Sequence, residues 1–280
     1  MPQPLFFNEI SYVPAIEVAL HRGLWSFIFL FLILFFLTKI KEFILIFFSL
    51  KKIIILSITS LLISINWTGF IFAVSISRVQ DASMGYFITP MISIGLGYFF
   101  LKEEITRLKL LSLLLMLTSI IFLIYSLKTF PYIAILIGTT WGIYGLLRKK
   151  IDVSPEIGLF YESFFISLFA FPYLIYLFYQ GSGYFLNYDS FTSVFLILTG
   201  VVTIFPLFFF NLGVKFIPLG YVGVIFYLAP TFHFITSIFI LEETLVLVKL
   251  ISFIIIWIAI GIFIIDVIRN EKNIIESNIQ

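Results

Sequence analysis

Nine long apolar runs, separated by short polar breaks, dominate this amino-acid sequence. They are Ile16–Leu37, Ile53–Ser75, Ala82–Leu101, Leu108–Ser126, Pro131–Leu147, Ile157–Tyr179, Phe191–Gly213, Leu219–Leu241 and Val246–Ile268. A helix needs roughly 20 mostly apolar residues to cross about 30 Å of hydrocarbon. Because 61% of the residues are hydrophobic and only 11% are charged, no water-soluble core could bury these runs. The sequence predicts an all-α integral membrane protein in a lipid bilayer, without β-strands.

The composition also excludes several kinds of partner and chemistry. A net charge of +2 is too small to suggest nucleic acid. The absence of cysteine excludes a disulfide framework and a thiolate metal site, so we predict neither a metal nor a cofactor. No G-x-x-x-x-G-K-[ST] loop is present, which excludes transport driven by ATP hydrolysis in this chain. The N-terminus does not resemble a cleaved signal peptide.

A repeat relates the two halves of the sequence. A shift of 140 residues aligns Pro90 with Pro230 and the motif "LKEE" with "LEET". Further matches in the same register are Leu101 with Leu241, Glu103 with Glu243, Lys109 with Lys249, Ser112 with Ser252 and Ile124 with Ile264. Each match alone is weak, but their common register without a gap indicates duplication. Weak internal symmetry of this kind is typical of secondary transporters.

The repeat predicts how the chain is organised: residues 1–127 form a first repeat, 128–268 a second, and 269–280 a tail. Under the shift, the run Pro131–Leu147 aligns partly with positions before Met1, so we expect the first repeat to lack most of its first helix. The parent architecture is then ten helices in two five-helix repeats, with nine complete spans here. Because five is odd, the second repeat is inverted in the membrane.

The distribution of basic residues predicts the orientation. If the ten-helix parent has both termini in the cytoplasm, thirteen of the 17 lysine and arginine residues fall on the cytoplasmic side. This bias follows the positive-inside rule. We therefore expect a cytoplasmic C-terminus.

Seven motifs along the chain carry a family resemblance. They are "VPAIEVALHRGLWSF", "NWTGFIFAV", "ASMGYFITPMISIGLGYFFLKEEITRLKLL", "WGIYGLLRKK", "GLFYESFF", "YLAPTFHFITSIFILEE" and "ISFIIIWIAIGIFIID". The sequence resembles the EamA-type permeases of the RarD type, in the drug/metabolite transporter superfamily, over nearly its whole length. The resemblance implies ten helices in inverted repeats, a location in the bacterial inner membrane, and transport of small metabolites.

Charged groups inside the predicted spans are the first candidate site residues, because a charge in the bilayer is expensive and usually faces a cavity or a partner. His21 and Arg22 either contact substrate at the mouth of a central cavity, or form a snorkelling arginine and a histidine paired with Glu17. The repeat aligns Tyr161 and Glu162 with these two residues. Glu162 is the carboxylate well inside a span, and hence a proton-coupling candidate. Its alternative is an ion pair with Arg148 or Lys149.

Polar and amphipathic side chains within spans complete the candidate site. They are Asn66, Trp67, Tyr86, Trp141, Tyr144, Asn211, Tyr227 and His233. Several of them could line a cavity for an aromatic or amino-acid-like solute, although tyrosine and tryptophan also anchor helices at membrane interfaces. Pro90 and Pro230 are expected to kink matched helices. Gly95 and Gly97 favour close helix packing. Glu103, Glu104, Glu242 and Glu243 are expected to be solvated caps at helix ends.

Three functions fit the sequence to different degrees. A permease that works by alternating access, with a small-molecule substrate and with protons as a second candidate partner, accounts for the inverted repeat. A membrane-embedded enzyme is the alternative, but the aspartates needed for intramembrane proteolysis fall at helix ends, at Asp81, Asp152, Asp189 and Asp266. A non-transporting scaffold would leave the repeat unexplained. A homodimer is left open.

Overall fold

The protein is all-helical in the parts that the computed structural model describes, which are residues 3–36, 40–128, 130–225 and 228–279. Its helices are α1 (Gln3–Asn8), α2 (Ala15–Phe36), α3 (Ile40–Phe47), α4 (Leu50–Ser75), α5 (Val79–Leu101), α6 (Arg107–Leu127), α7 (Tyr132–Lys150), α8 (Pro155–Tyr179), α9 (Ser190–Phe216), α10 (Leu219–Ile225), α11 (Leu228–Phe239) and α12 (Leu247–Ile279). The predicted all-α membrane fold is confirmed.

Seven of these helices are long and apolar enough to cross a membrane: α2, α4, α5, α6, α8, α9 and α12. The predicted run Pro131–Leu147 forms α7, a shorter helix of 19 residues that ends in three basic side chains. The predicted run Leu219–Leu241 is divided between α10 and α11, with residues 226 and 227 between them outside the described residues. The count of nine spans therefore stays a prediction.

Large apolar side chains cover the outer faces of the long helices. Examples are Phe36, Phe99, Phe169 and Phe216, all of them exposed. An apolar surface of this extent would be unfavourable in water, whereas hydrocarbon solvates it. The outer faces therefore contact the lipid bilayer.

The helix ends repeat at the same interval as the sequence. Four pairs of helices begin 140 residues apart, at Ala15 and Pro155, Leu50 and Ser190, Val79 and Leu219, and Arg107 and Leu247. Helices of the same rank in the two halves also contact each other: α2 packs on α8, α5 on α10 and α11, and α6 on α12. The duplication seen in the residues thus extends to the helix boundaries. The inversion of the second half stays a prediction.

Two glycines allow close contact between α5 and α7. A Cβ at Gly138 would lie 2.7 Å from the carbonyl oxygen of Gly85, and a Cβ at Gly85 would lie 2.9 Å from the carbonyl oxygen of Ala134. Only glycine fits where two helix backbones come this close. The expectation for Gly95 was wrong, because a Cβ there would meet no described atom within 4 Å. Gly97 makes room for the Glu103 carboxylate, 2.6 Å from its ideal Cβ, and not for another helix.

Two glutamates cap helices of the opposite half. Glu103 Oε1 accepts a hydrogen bond of 2.9 Å from the backbone N–H of Leu219, at the start of α10. Glu243 accepts hydrogen bonds of 2.6 and 3.1 Å from the N–H groups of Val79 and Gln80, at the start of α5. Both glutamates are half-buried. The expectation that they are solvated was wrong, because each is held against helix N–H groups that have no partner within their own helix.

Candidate functional site

A cavity of about 710 Å³ lies at the centre of the bundle. Its walls come from both halves of the chain, and they are formed by Gln3, Phe6, Arg22, Trp67, Tyr86, Trp141, Val201, Val202, Phe205, Pro206, Leu207, Ala229, Phe232 and His233. Ligand sites for small molecules are mostly apolar and occupy about 300–1,000 Å³. The cavity, referred to below as the central cavity, therefore has the size and the lining of such a site.

Arg22, on α2, is the one charged side chain among the residues that line the central cavity. Its Nε donates a short hydrogen bond to Thr203 Oγ1 on α9. Its Cζ lies 4.4 Å from the ring centroid of Trp67 and 5.2 Å from that of Phe7. No carboxylate among the described residues lies within the 4.0 Å of an ion pair. Aromatic faces and a hydroxyl, and not a counter-ion, hold this guanidinium.

Aromatic rings form another part of the cavity wall. The His233 ring on α11 lies 5.9 Å from that of Tyr86 and 5.5 Å from that of Phe70, measured between centroids. Tyr86 meets Trp141 edge to face, with centroids 6.1 Å apart. These contacts hold the rings in defined orientations around the cavity. The wall beside Arg22 can therefore take up an apolar or aromatic solute.

A second polar cluster is buried around Arg148, on α7. Its Nε lies 3.6 Å from Glu162 Oε1 and donates a hydrogen bond of 2.9 Å to Asn211 Oδ1. The Tyr144 hydroxyl donates to Glu162 Oε2 at 3.1 Å, and Asn211 Nδ2 donates to the Tyr144 oxygen at 2.7 Å. All four side chains are buried. The ion pair that the sequence left open as the alternative for Glu162 is thus present, with Arg148 as the partner.

Gly158 makes room for this cluster. A Cβ at Gly158, one turn before Glu162 on α8, would overlap the Arg148 guanidinium. The guanidinium lies flat on the backbone of α8, and its Nη2 is 3.4 Å from the carbonyl oxygen of Pro155. The motifs "WGIYGLLRKK" and "GLFYESFF" therefore meet here.

Comparison with protein families identifies the chain. A model of the EamA-like transporter family matches residues 5–125 and again residues 130–265. The chain belongs to this family. Each half of this EamA chain thus matches the family model separately. The predicted division between residues 127 and 128 falls between the two matched segments, and it stays a prediction.

Individual relatives of this EamA chain are bacterial transporters. The uncharacterized transporter YojE of Bacillus subtilis is 36% identical over 264 residues, which cover 93% of this chain and 88% of YojE. Protein RarD of Escherichia coli is 30% identical over 269 residues, which cover 96% of this chain and 91% of RarD. The resemblance to RarD-type permeases is confirmed. With its apolar helices, the EamA chain is a multi-pass transporter protein of the bacterial inner membrane.

One solved crystal structure is similar to this EamA chain in fold. The two superpose with a TM-score of 0.58 at 12% identity, over 92% of this chain and 93% of the other. At this identity the likeness concerns the fold alone.

Five of the predicted site residues of the EamA chain line the central cavity: Arg22, Trp67, Tyr86, Trp141 and His233. Three others, Tyr144, Asn211 and Glu162, belong to the cluster around Arg148. Tyr227 lies outside the described residues. Pro90 lies within α5, and Pro230 is the third residue of α11. Their kinks stay a prediction.

His21 does not line the central cavity. It lies on a separate cavity of about 210 Å³ with Glu17 and Trp25. Glu17 Oε1 accepts a hydrogen bond of 2.7 Å from the backbone N–H of Tyr184, and neither ring nitrogen of His21 has a partner among the described residues. The alternative in which His21 pairs with Glu17 is therefore wrong. So is the snorkelling Arg22, because its side chain is buried.

Two more candidates have structural partners away from the central cavity. Asn66 Nδ2 donates to the carbonyl oxygen of Ile137 at 2.9 Å and to Thr140 Oγ1 at 3.0 Å, which ties α4 to α7. The Tyr161 hydroxyl donates to the carbonyl oxygen of Phe43 at 2.9 Å, in α3. Neither residue is among those that line the central cavity.

Sequence reasoning missed Thr203, which accepts the hydrogen bond from Arg22. A signal was available on α9, where Thr199, Gly200, Thr203 and Asn211 recur at the spacing of one helix face and are all buried. Small and polar residues at helical spacing within an apolar run indicate a face turned towards protein. The cavity phenylalanines, such as Phe205, gave no such signal in a chain that is 20% aromatic.

Proposed function

We propose that the chain is a permease that moves a small metabolite or drug through the central cavity by alternating access. The cavity itself carries this proposal. It is built from both halves of the chain, has the volume of a small-molecule site, and combines one buried charge with aromatic walls. In secondary transporters, substrate sites lie at the interface between repeats.

The matched halves support alternating access. The four pairs of helix starts at one interval, and the contacts between helices of the same rank, are what two related units packed around a shared site would give. In alternating access, one such unit rocks against the other around a fixed site. The inverted arrangement, with the C-terminus in the cytoplasm, is part of this proposal.

Glu162 is the proposed site of proton coupling. It is buried against Arg148 and Tyr144, and a small void of about 10 Å³ lies beside it. The walls of this void include Trp67 and Leu207, which also line the central cavity. A proton bound at Glu162 would weaken its attraction to Arg148, since the carboxyl group would then be neutral. Protonation could thereby be linked to a rearrangement near the substrate.

Transport is tested with the purified full chain in proteoliposomes. We expect uptake of at least one solute from a panel of amino acids, organic acids, amines and small drugs, because the cavity provides a binding site. The matched control is Gly95→Ala, at a position where an added Cβ meets no described atom, and it should transport normally. If no solute of the panel moves more than in empty liposomes, with or without a proton gradient, the proposal is wrong.

The same assay tests the coupling role. Glu162→Gln keeps the size of the side chain and one acceptor oxygen, but it cannot be ionised. We expect solute binding to persist while stimulation of uptake by a proton gradient is lost. Glu17→Gln, a buried carboxylate bound to the Tyr184 backbone, is the control and should keep the stimulation. Equal stimulation of the wild type and Glu162→Gln would remove Glu162 from the coupling.

A further inference from the structure

We propose that the transported solute is an organic anion with an aromatic or apolar body, whose anionic group binds the guanidinium of Arg22. This inference rests on the proposed transport through the central cavity, and it names the charge of the solute at that site.

The two buried arginines of the chain differ in what neutralises them. Arg148 has Glu162 at 3.6 Å and the Asn211 carbonyl at 2.9 Å. Arg22, which is just as deeply buried, has Thr203 and the ring of Trp67, with no described carboxylate in ion-pair range. A buried charge without a counter-ion is strongly unfavourable, so it calls for a partner. Arg22 lines the cavity, where a solute can supply that partner.

The guanidinium has donors left for an anion. Its Nε is used by Thr203, whose own hydroxyl also donates to the carbonyl oxygen of Thr199 at 2.6 Å. Neither terminal nitrogen of Arg22 makes a hydrogen bond to any part of the chain that the structure describes. Two parallel N–H groups match the two oxygens of a carboxylate. Arg22 can therefore bind an anionic group through both terminal nitrogens.

The rest of the cavity wall disfavours positively charged solutes. Its described lining contains no aspartate or glutamate, so an ammonium group would find no opposite charge there. The face of Trp67, one aromatic surface that could bind a cation, is already occupied by Arg22. An ammonium beside Arg22 would also be repelled in a low-dielectric site. Phe6, Phe205 and Phe232 offer apolar surface for the uncharged part of the solute.

Four solutes that share a phenylpropyl skeleton test the charge directly. They are 3-phenylpropanoate (an anion), phenylalanine (a zwitterion), 3-phenylpropylamine (a cation) and 3-phenylpropanol (neutral). Binding of each to the wild-type chain in nanodiscs is measured by calorimetry. We expect the anion to bind at least about tenfold more tightly than the other three. Because this comparison needs no variant, it does not depend on how a substitution folds.

Substitutions then assign the preference to Arg22. In Arg22→Gln, binding of the anion should fall by about tenfold or more, while binding of the neutral alcohol should stay within about threefold. Arg22→Lys should recover part of the anion binding, since it restores the charge but not the paired donors. An equal loss for both solutes in Arg22→Gln would indicate a structural role and would overturn the assignment.

The outcomes also separate this inference from the proposed function. Equal affinity for all four solutes, tightest binding of the amine or of phenylalanine, or no binding of any at millimolar concentration would overturn the inference. Transport of a cationic or neutral solute in the proteoliposome assay would then leave the permease proposal standing. Transport of no solute at all would remove both.

Discussion

Two residues with the same side chain, Arg22 and Arg148, are buried in different surroundings. Arg148 is held by a carboxylate, an amide and a backbone carbonyl within the protein, and it lies on the bare backbone at Gly158. Arg22 lines the central cavity. We infer that Arg148 is mainly structural and that Arg22 acts on the solute. Burial alone would not have distinguished them, because both side chains are almost fully buried.

Gly158→Ala tests the structural role of the Arg148 cluster. In a helix, replacing glycine by alanine ordinarily adds about 1 kcal/mol of stability. Here the new Cβ would overlap the guanidinium, and we expect a net loss of about 3 kcal/mol, typical of a broken buried ion pair. The measurement is the thermal unfolding midpoint of the purified protein in detergent. Gly95→Ala, where an added Cβ has open space, should not lower the midpoint.

A midpoint for Gly158→Ala equal to or above that of the wild type would mean that the cluster tolerates displacement of Arg148. The buried ion pair would then contribute little to stability.

At the scale of the helices, the two halves are joined by an exchange of caps. Glu103 caps α10, and Glu243 caps α5. The residue before each glutamate has a left-handed backbone, with φ of 58° at Lys102 and 52° at Glu242. The turns after α5 and α11 thus have matching geometry. Burial raises the pKa of the Glu243 carboxyl, while the two N–H groups and Lys249 act in the opposite direction.

Removal of either cap should destabilise the protein. Loss of a cap costs about 0.5–2 kcal/mol, and we expect Glu243→Ala to have the larger effect, because Glu243 accepts two backbone hydrogen bonds and Glu103 accepts one. Thermal unfolding of both variants is compared with that of Glu104→Ala, whose exposed side chain lies next to Glu103. If Glu104→Ala is as destabilising as Glu103→Ala, the caps do not hold the halves together.

At the scale of the whole molecule, the orientation in the membrane can be tested because the chain has no cysteine. Single cysteines can therefore be labelled without background. If the C-terminus is cytoplasmic, Ser182→Cys, between α8 and α9, should react with a membrane-impermeant maleimide in cells whose outer membrane has been permeabilised. Glu104→Cys, between α5 and α6, should react only once the inner membrane is opened. Both positions are exposed. The reverse pattern of labelling would contradict the predicted orientation.

The sequence by itself determined the features that depend on local composition and on register along the chain. A long apolar run has to form a helix in a bilayer, because no water is there to bond its backbone, and the nine runs therefore predicted an all-α membrane fold. The repeat of 140 residues predicted the spacing of helix starts that the structure contains. Polarity within apolar runs identified five of the residues that line the central cavity.

Only the tertiary structure decided which polar groups meet, because these contacts join residues far apart in sequence. Glu103 and Glu243 matched as sequence positions, but their partners, Leu219 and Val79, lie in the other half of the chain. His21 and Arg22 are neighbours in sequence, yet the turn of α2 points them into different cavities, since successive residues of a helix face different sides. A sequence pattern can therefore indicate that a charge is buried, while its partner depends on how the helices pack.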